Sequence, residues 1–143
     1  MNVAIIIIAV LVIDAFVIGV IFYGVIGGQL RDLAQKFPAR PPREGSVRRN
    51  FQSIRLGMIN LGGCVHIEVD EDALHVHPTA FLRRLKAPGF SVPWDQVTYL
   101  KERGSLIWVR LGSGASSLDM VGPRWCLELA QGSPAQRVER DLP

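Results

Sequence analysis

A small mainly-β domain carried behind one N-terminal transmembrane helix is the fold class that three observations predict. The chain opens on an apolar run, residues 3–26, whose only ionisable side chains are Asp14 and Tyr23. An arginine- and proline-rich segment follows it. From Phe51 onward, apolar and polar residues alternate in short stretches broken by Gly, Pro and Asp, the period of half-buried strands.

The apolar run is long enough to cross a bilayer: at about 1.5 Å per residue it spans a hydrocarbon core of about 30 Å with some tilt. A cleaved secretory signal would need basic residues before the run, a shorter apolar stretch and a small-x-small cleavage site. Met1-Asn2 has no basic side chain and IGGQL is a poor cleavage site, so an uncleaved anchor over residues 1–28 is expected. Asp14 does not prevent insertion. Seventeen residues of the run are Val, Ile, Leu or Phe. Each contributes about −0.3 to −0.6 kcal/mol against a cost of about 2.5–3.5 kcal/mol for a central aspartate.

Desolvation would leave the Asp14 carboxyl protonated and seeking a hydrogen-bond partner. Ala15 and Gly19 stand four apart beside it, and Gly24 and Gly28 form another small-xxx-small pair. Small residues let helices approach closely and polar groups then bond across the contact. This face is expected to pair with a second copy or with a partner's helix, unless the aspartate is a tolerated passenger.

Basic residues orient the span. Arg31, Lys36, Arg40, Arg43, Arg48, Arg49 and Arg55 follow it against Asp32 and Glu44, a local net of +5 within a chain of net +3. Lys and Arg flanking a span stay cytoplasmic, so a plasma (inner) membrane protein with its N-terminus outside and its domain inside is expected. Cys64 and Cys126 are then free thiols.

QLRDLAQKF places Leu30, Leu33, Ala34 and Phe37 on one helical face, predicting that the helix continues along or just above the membrane surface. PARPPREGS ends it and forms an extended linker, the two together making residues 29–47. Arg31, Lys36, Arg40, Arg43, Arg48 and Arg49 suit anionic headgroups of the lipid bilayer, at about 1 kcal/mol each near the surface.

Strands are expected in FQSIRLGMI, CVHIEVD and LHVHPT, with DEDA turning between the last two. AFLRRLKAPGFSVPW reads as a loop-flanked strand, and VTYLKER and SLIWVRL as a hairpin turning near Arg103-Gly104. GSGASS is a flexible connection before a short strand at SLDMV. PRWCLELAQ reads as a short helix, although Trp125, Leu127 and Leu129 also alternate as a strand would. The three tryptophans are expected in core or cap packing, and residues 132–143 as a loose tail.

Two stretches, VHIEVDEDALHVHPTAFLRRL and SVPWDQVTYL, carry a resemblance to the pleckstrin-homology-like modules of bacterial membrane proteins and, more loosely, to GRAM domains. In VHIEVDEDALHVHPTAFLRRL a hairpin ends in an acidic turn followed by Leu74. SVPWDQVTYL resembles the family's I-P-W-x-x-I strand exit. The resemblance covers residues 48–131. It implies a split β-barrel of about seven strands capped by a C-terminal helix, usually a binding or scaffold surface without catalysis. Lipid-binding members carry basic residues after their first strand; INLGG, taken as that loop, has none, so phosphoinositide binding is not implied.

Register arithmetic singles out one face of the first complete hairpin. For Val65, Ile67 and Val69 to share a core with Leu74 and Val76, paired residues must have numbers that sum to an odd value, and the DEDA turn makes 69 opposite 74 the natural choice. Then His66 opposes His77, Glu68 opposes His75, and Cys64 opposes Thr79. Opposed Cβ atoms lie about 4.5–5.5 Å apart, and imidazole, thiolate and carboxylate are zinc ligands. Cys64, His66, Glu68, His75 and His77 are thus the candidate metal or proton-sensing set, against the plain reading of a hydrated polar face. RRLK (Arg83, Arg84, Lys86) is a basic loop suited to a membrane or an acidic partner.

GSGASS lacks the features of a phosphate loop or a nucleophile elbow. No Ser, His and Asp can be argued into one cleft, and no enzyme is expected. Nothing points to nucleic acid. The expected function is a membrane-anchored, non-catalytic interaction or scaffold module, the alternatives being a metal- or pH-sensing module or an accessory subunit of a larger membrane complex.

Overall fold

A computed structural model describes residues 2–128. Helix α1 (Val3–Ile21) runs through a π-helical turn (Phe22–Ile26) into α2 (Gly27–Lys36), and every α1 side chain is exposed. Among the described residues this one continuous helix, Val3–Lys36, is long and apolar enough to cross a membrane. A π turn accommodates one extra residue and so rotates α2 by about 100° relative to α1. Its position decides which face α2 presents.

Seven antiparallel strands come after the helix: β1 (Val47–Leu56), β2 (Ile59–Val69), β3 (Ala73–Pro78), β4 (Phe90–Pro93), β5 (Val97–Arg103), β6 (Leu106–Leu111) and β7 (Leu118–Pro123). Their order is β4-β3-β2-β1-β7-β6-β5. The two meanders are joined where Arg55 and Leu56 of β1 pair with Val121 and Met120 of β7, and the Gly57 N–H donates to the Asp119 carbonyl beside them. The sheet curls into an open half-barrel and does not close, so the expected barrel is corrected to that shape. A one-turn helix, α3 (Ala80–Arg84), leads out of β3, and α4 (Arg124–Leu127) follows β7.

Ile54, Leu56, Leu61, Ile67, Leu74, Val92, Ile107 and Met120 fill the concave side. The helix supplies the lid: Ile26, Leu30, Leu33 and Phe37 are all buried against this core, with Ala34 packed beside them. The apolar face read from QLRDLAQKF therefore exists, but it faces the sheet and not the bilayer. At roughly 1.5–3 kcal/mol for each large apolar side chain taken from water, its burial fastens the span to the domain. The sheet is covered from the other end by α4, which buries Cys126 and Leu127.

Four local readings change. INLGG is the start of β2, and the β1–β2 turn is Gly57-Met58. Gly57 sits at φ +58°, and a Cβ there would meet Leu118 at 3.0 Å, so glycine suits both the turn and the space. AFLRRLKAPGFSVPW divides into α3 and β4, because fully buried Leu82 and buried Ala87 pin a helical turn to the core. GSGASS contains a 3₁₀ turn at Gly114–Ser116. Pro123 ends β7 instead of opening α4, and residues 129–143, the end of PRWCLELAQ and the tail, fall outside the described residues.

Candidate functional site

The hairpin register is the expected one. Val69 pairs with Leu74, Glu68 with His75 and His66 with His77, while the Thr79 N–H donates to the Cys64 carbonyl at 3.1 Å. Its polar face, however, is largely covered. Glu68, Asp70, His75, Thr79 and Ser91 are buried, because the linker, residues 38–46, folds back across β2, β3 and β4 as a strap.

The strap owes its path to its sequence. Prolines hold it extended and leave few N–H groups to satisfy, and those of Arg40, Arg43 and Ser46 are hydrogen-bonded. Pro38 forms an isolated bridge with Phe90, and the Ser91 N–H donates to the Phe37 carbonyl, so the chain leaving α2 runs beside edge strand β4. The Arg40 N–H donates to Ser91 Oγ at 2.9 Å, and the Arg43 N–H to Asp70 Oδ2 at 3.0 Å. The Arg43 guanidinium also pairs with Asp72, and the Ser46 hydroxyl donates to Glu68.

Asp70 is the hub. Its Oδ1 accepts from the N–H groups of Asp72 and Ala73, both at 2.8 Å, and fixes the β2–β3 turn. Its Oδ2 lies 2.7 Å from His75 Nε2, whose other nitrogen, Nδ1, lies 2.7 Å from Ser91 Oγ. The side chains of His75 and Asp70 are 2% and 3% exposed. Trp94 Nε1–H donates to the Asp70 carbonyl at 2.9 Å. Burial pushes the Asp70 carboxyl upward. The hydrogen bonds from Arg43, His75, Asp72 and Ala73 outweigh it and hold the group well below the usual carboxylate range.

A Ser, His and Asp do therefore converge, contrary to the expectation from sequence. Three strands bring them together: Asp70 just past β2, His75 on β3, Ser91 on β4, with His75 and Ser91 directly paired in register. The alternation of β4 carries the signal, once α3 is separated from it. Ser91 is 1% exposed, and the Arg40 backbone lies across its hydroxyl. Acyl transfer by such a triad needs an open nucleophile and donors for the oxyanion; here the hydroxyl is covered by the strap, and the chain of three links the strap to β3 and β4.

The remaining candidates scatter. His66 Nδ1 accepts from the Phe51 N–H at 3.2 Å, and the two rings meet edge-on at 5.0 Å. Phe51 itself sits at φ +53° in a bulge of β1. His77 Nε2 lies 3.4 Å from Glu68 without a hydrogen bond's alignment. Burial, and then Arg48, push the His77 imidazole below its ordinary pKa against the opposing pull of Glu68. Among the described residues no group of three or more His, Cys, Asp or Glu is placed to hold a metal ion. His75 has both nitrogens engaged, so Cys64, His66, Glu68, His75 and His77 are not gathered as a zinc set.

Of the basic residues, Arg31 is half-buried, and Lys36, Arg40, Arg43, Arg48 and Arg49 stay exposed while several of them contact the domain. Arg31 stacks over Tyr23 at 5.4 Å, and Arg49 over Trp125 at 4.7 Å. Lys36 Nζ donates to Ser116, and Gly112, at φ +79°, makes room for it, since a Cβ there would come within 2.5 Å. Arg48 lies 3.9 Å from Glu68. On the span, Asp14 and Ala15 are exposed, and a Cβ at Gly19, Gly24 or Gly28 would meet nothing within 4 Å. Both thiols are free, with Cys64 half-buried and Cys126 buried. Compared with known families, curated proteins and solved structures, the chain matches none.

Proposed function

We propose that the chain is a single-pass membrane protein that holds a small interaction domain, without catalytic duty, rigidly at the cytoplasmic membrane surface. The observation that carries this reading is the continuous helix Val3–Lys36, whose last turns are the lid of the β domain. A flexible tether would merely localise a domain. A helix that is also part of its core fixes the domain's position relative to the span. The pleckstrin-homology-like character of the domain is supported by two antiparallel meanders joined at β1 and followed by a C-terminal helix. The cytoplasmic orientation is supported by the net +5 segment. Self-association through Asp14, Ala15 and Gly19 is supported by their exposure on the span.

Mild crosslinking in native membranes tests this. A defined partner complex supports an accessory subunit, and self-crosslinks support a self-associating scaffold. A chain that crosslinks to nothing in membranes contradicts both.

A second reading has its own observation: the strap is latched through a buried Asp70–His75–Ser91 chain with His77 and Glu68 beside it. His77, beside that latch, is held below its ordinary pKa by burial, which gives the polar face a means of responding to acid.

A further inference from the structure

About 20 residues of helix cross a hydrocarbon core of about 30 Å at 1.5 Å per residue, which puts the membrane boundary near Phe22. The Phe81 ring of α3 packs edge-on against Phe22, 6.3 Å between centroids and 70° between planes. Phe81 is nevertheless 57% exposed, so most of its ring lies open at the level where the helix leaves the lipid. The next residue, Leu82, is fully buried, and α3 is thereby fixed to the domain. Arg83, Arg84 and Lys86 come next, all exposed or half-exposed, with no acidic residue from position 79 to 90. Beside this tip, Arg31 stacks on Tyr23, an aromatic and a cation at the level where membrane proteins carry interfacial anchors.

We propose that α3 is a second membrane attachment: Phe81 enters the leaflet beside the span, and Arg83, Arg84 and Lys86 engage anionic lipid headgroups. This rests on the membrane-anchored reading and deepens it. One span leaves a domain free to rotate about the helix axis and to tilt. A further contact removes that freedom and presents the same side of the domain to partners in every copy. An apolar tip backed by cations is what an anionic bilayer surface binds, and continuity with the span through Phe22 favours lipid over a soluble protein as the occupant.

The test uses the full chain in nanodiscs, with Cys64→Ser to remove the accessible thiol and a nitroxide placed at one position at a time. The positions are Phe81→Cys, Val12→Cys in the span, and Glu71→Cys in the β2–β3 turn at the opposite end of β3. Collision with oxygen is compared with collision with a water-soluble nickel chelate. The label at 81 is expected to favour oxygen, as the label at 12 does, while the label at 71 favours nickel. Arg83→Ala, Arg84→Ala and Lys86→Ala combined should shift the label at 81 toward nickel in discs containing phosphatidylglycerol, and less in discs of phosphatidylcholine alone. A label at 81 as open to nickel as the one at 71, with 12 still in lipid, overturns the second attachment and leaves the anchor standing. An effect of the triple substitution indifferent to lipid charge overturns the headgroup contact. A label at 12 in water overturns the anchor and the proposal with it.

Discussion

Asp70 ties the β2–β3 turn, the strap and His75 together through one carboxylate, and much of the domain's buried polar bonding converges on it. Removing one partner of a buried pair leaves the other desolvated and uncompensated, at a cost of about 3–5 kcal/mol. Asp70→Ala should lower the unfolding free energy of the detergent-solubilised protein by that order, measured by urea titration. Acid should act through Asp70 and through His77 on the same face. Folded His77 resists protonation more than unfolded His77 does, so stability is fully present above about pH 6.5 and declines as pH falls below it. Folded Asp70 is likewise held below its ordinary 3.8; its contribution is present above that pH and is lost as pH falls further. His66 is held below its ordinary value too, by burial and then by Arg48, so His77→Gln should reduce the first decline without abolishing it and leave the second. The thiols give a further contrast. Burial pushes Cys126 up to about 12, whereas Cys64 is half-buried. Native protein should therefore react with a thiol reagent quickly at Cys64, and at Cys126 only on unfolding.

At the scale of elements, α2 and the strap are where sequence and structure diverge most instructively. The spacing of Leu30, Leu33, Ala34 and Phe37 reveals an apolar face, but amphipathicity does not say what the face is buried against. A bilayer surface and an open half-barrel demand the same pattern. The strap is equally hidden. Its prolines and arginines read as a hydrated linker, while the bonds that dock it are backbone N–H groups meeting side chains from strands 27 to 51 positions away. The β2–β3 register, by contrast, is legible to the residue, because a one-residue slip would turn Val65, Ile67 and Val69 out of the core. The Ser91 partnership is not, since in the sequence β4 merges with α3. The lid contacts can be tested by truncation. A fragment starting at Gly27 should fold, and one starting at Ser46, lacking Leu30, Leu33 and Phe37, should be less stable by several kcal/mol at roughly 1.5–3 kcal/mol per side chain. Equal melting temperatures for the two would contradict the lid.

For the whole molecule, the apolar helix and the strand-rich domain are plain in the sequence, as is the charge asymmetry on which the proposed orientation rests. The openness of the half-barrel is not, because alternation reports which face is buried and not whether a sheet closes. Protease added to right-side-out vesicles should spare the domain; cleavage within residues 38–46 there would reverse the orientation. Asp14→Leu should weaken dimerisation of the span by about 0.6–2 kcal/mol in a membrane reporter assay, the usual worth of an intramembrane hydrogen bond. An unchanged signal would make the aspartate a passenger.

Span and domain form one unit because α2 is part of the domain's core, and hydrogen exchange of the full chain in lipid nanodiscs tests this most directly. Amides of Leu33 and Phe37, in and just after α2, should open with the same free energy as those of Ile67 in β2 and Val76 in β3, as members of one cooperative unit. Exchange at 33 and 37 orders of magnitude faster, with β2 and β3 still protected, would mean that the helix is a tether resting beside the domain.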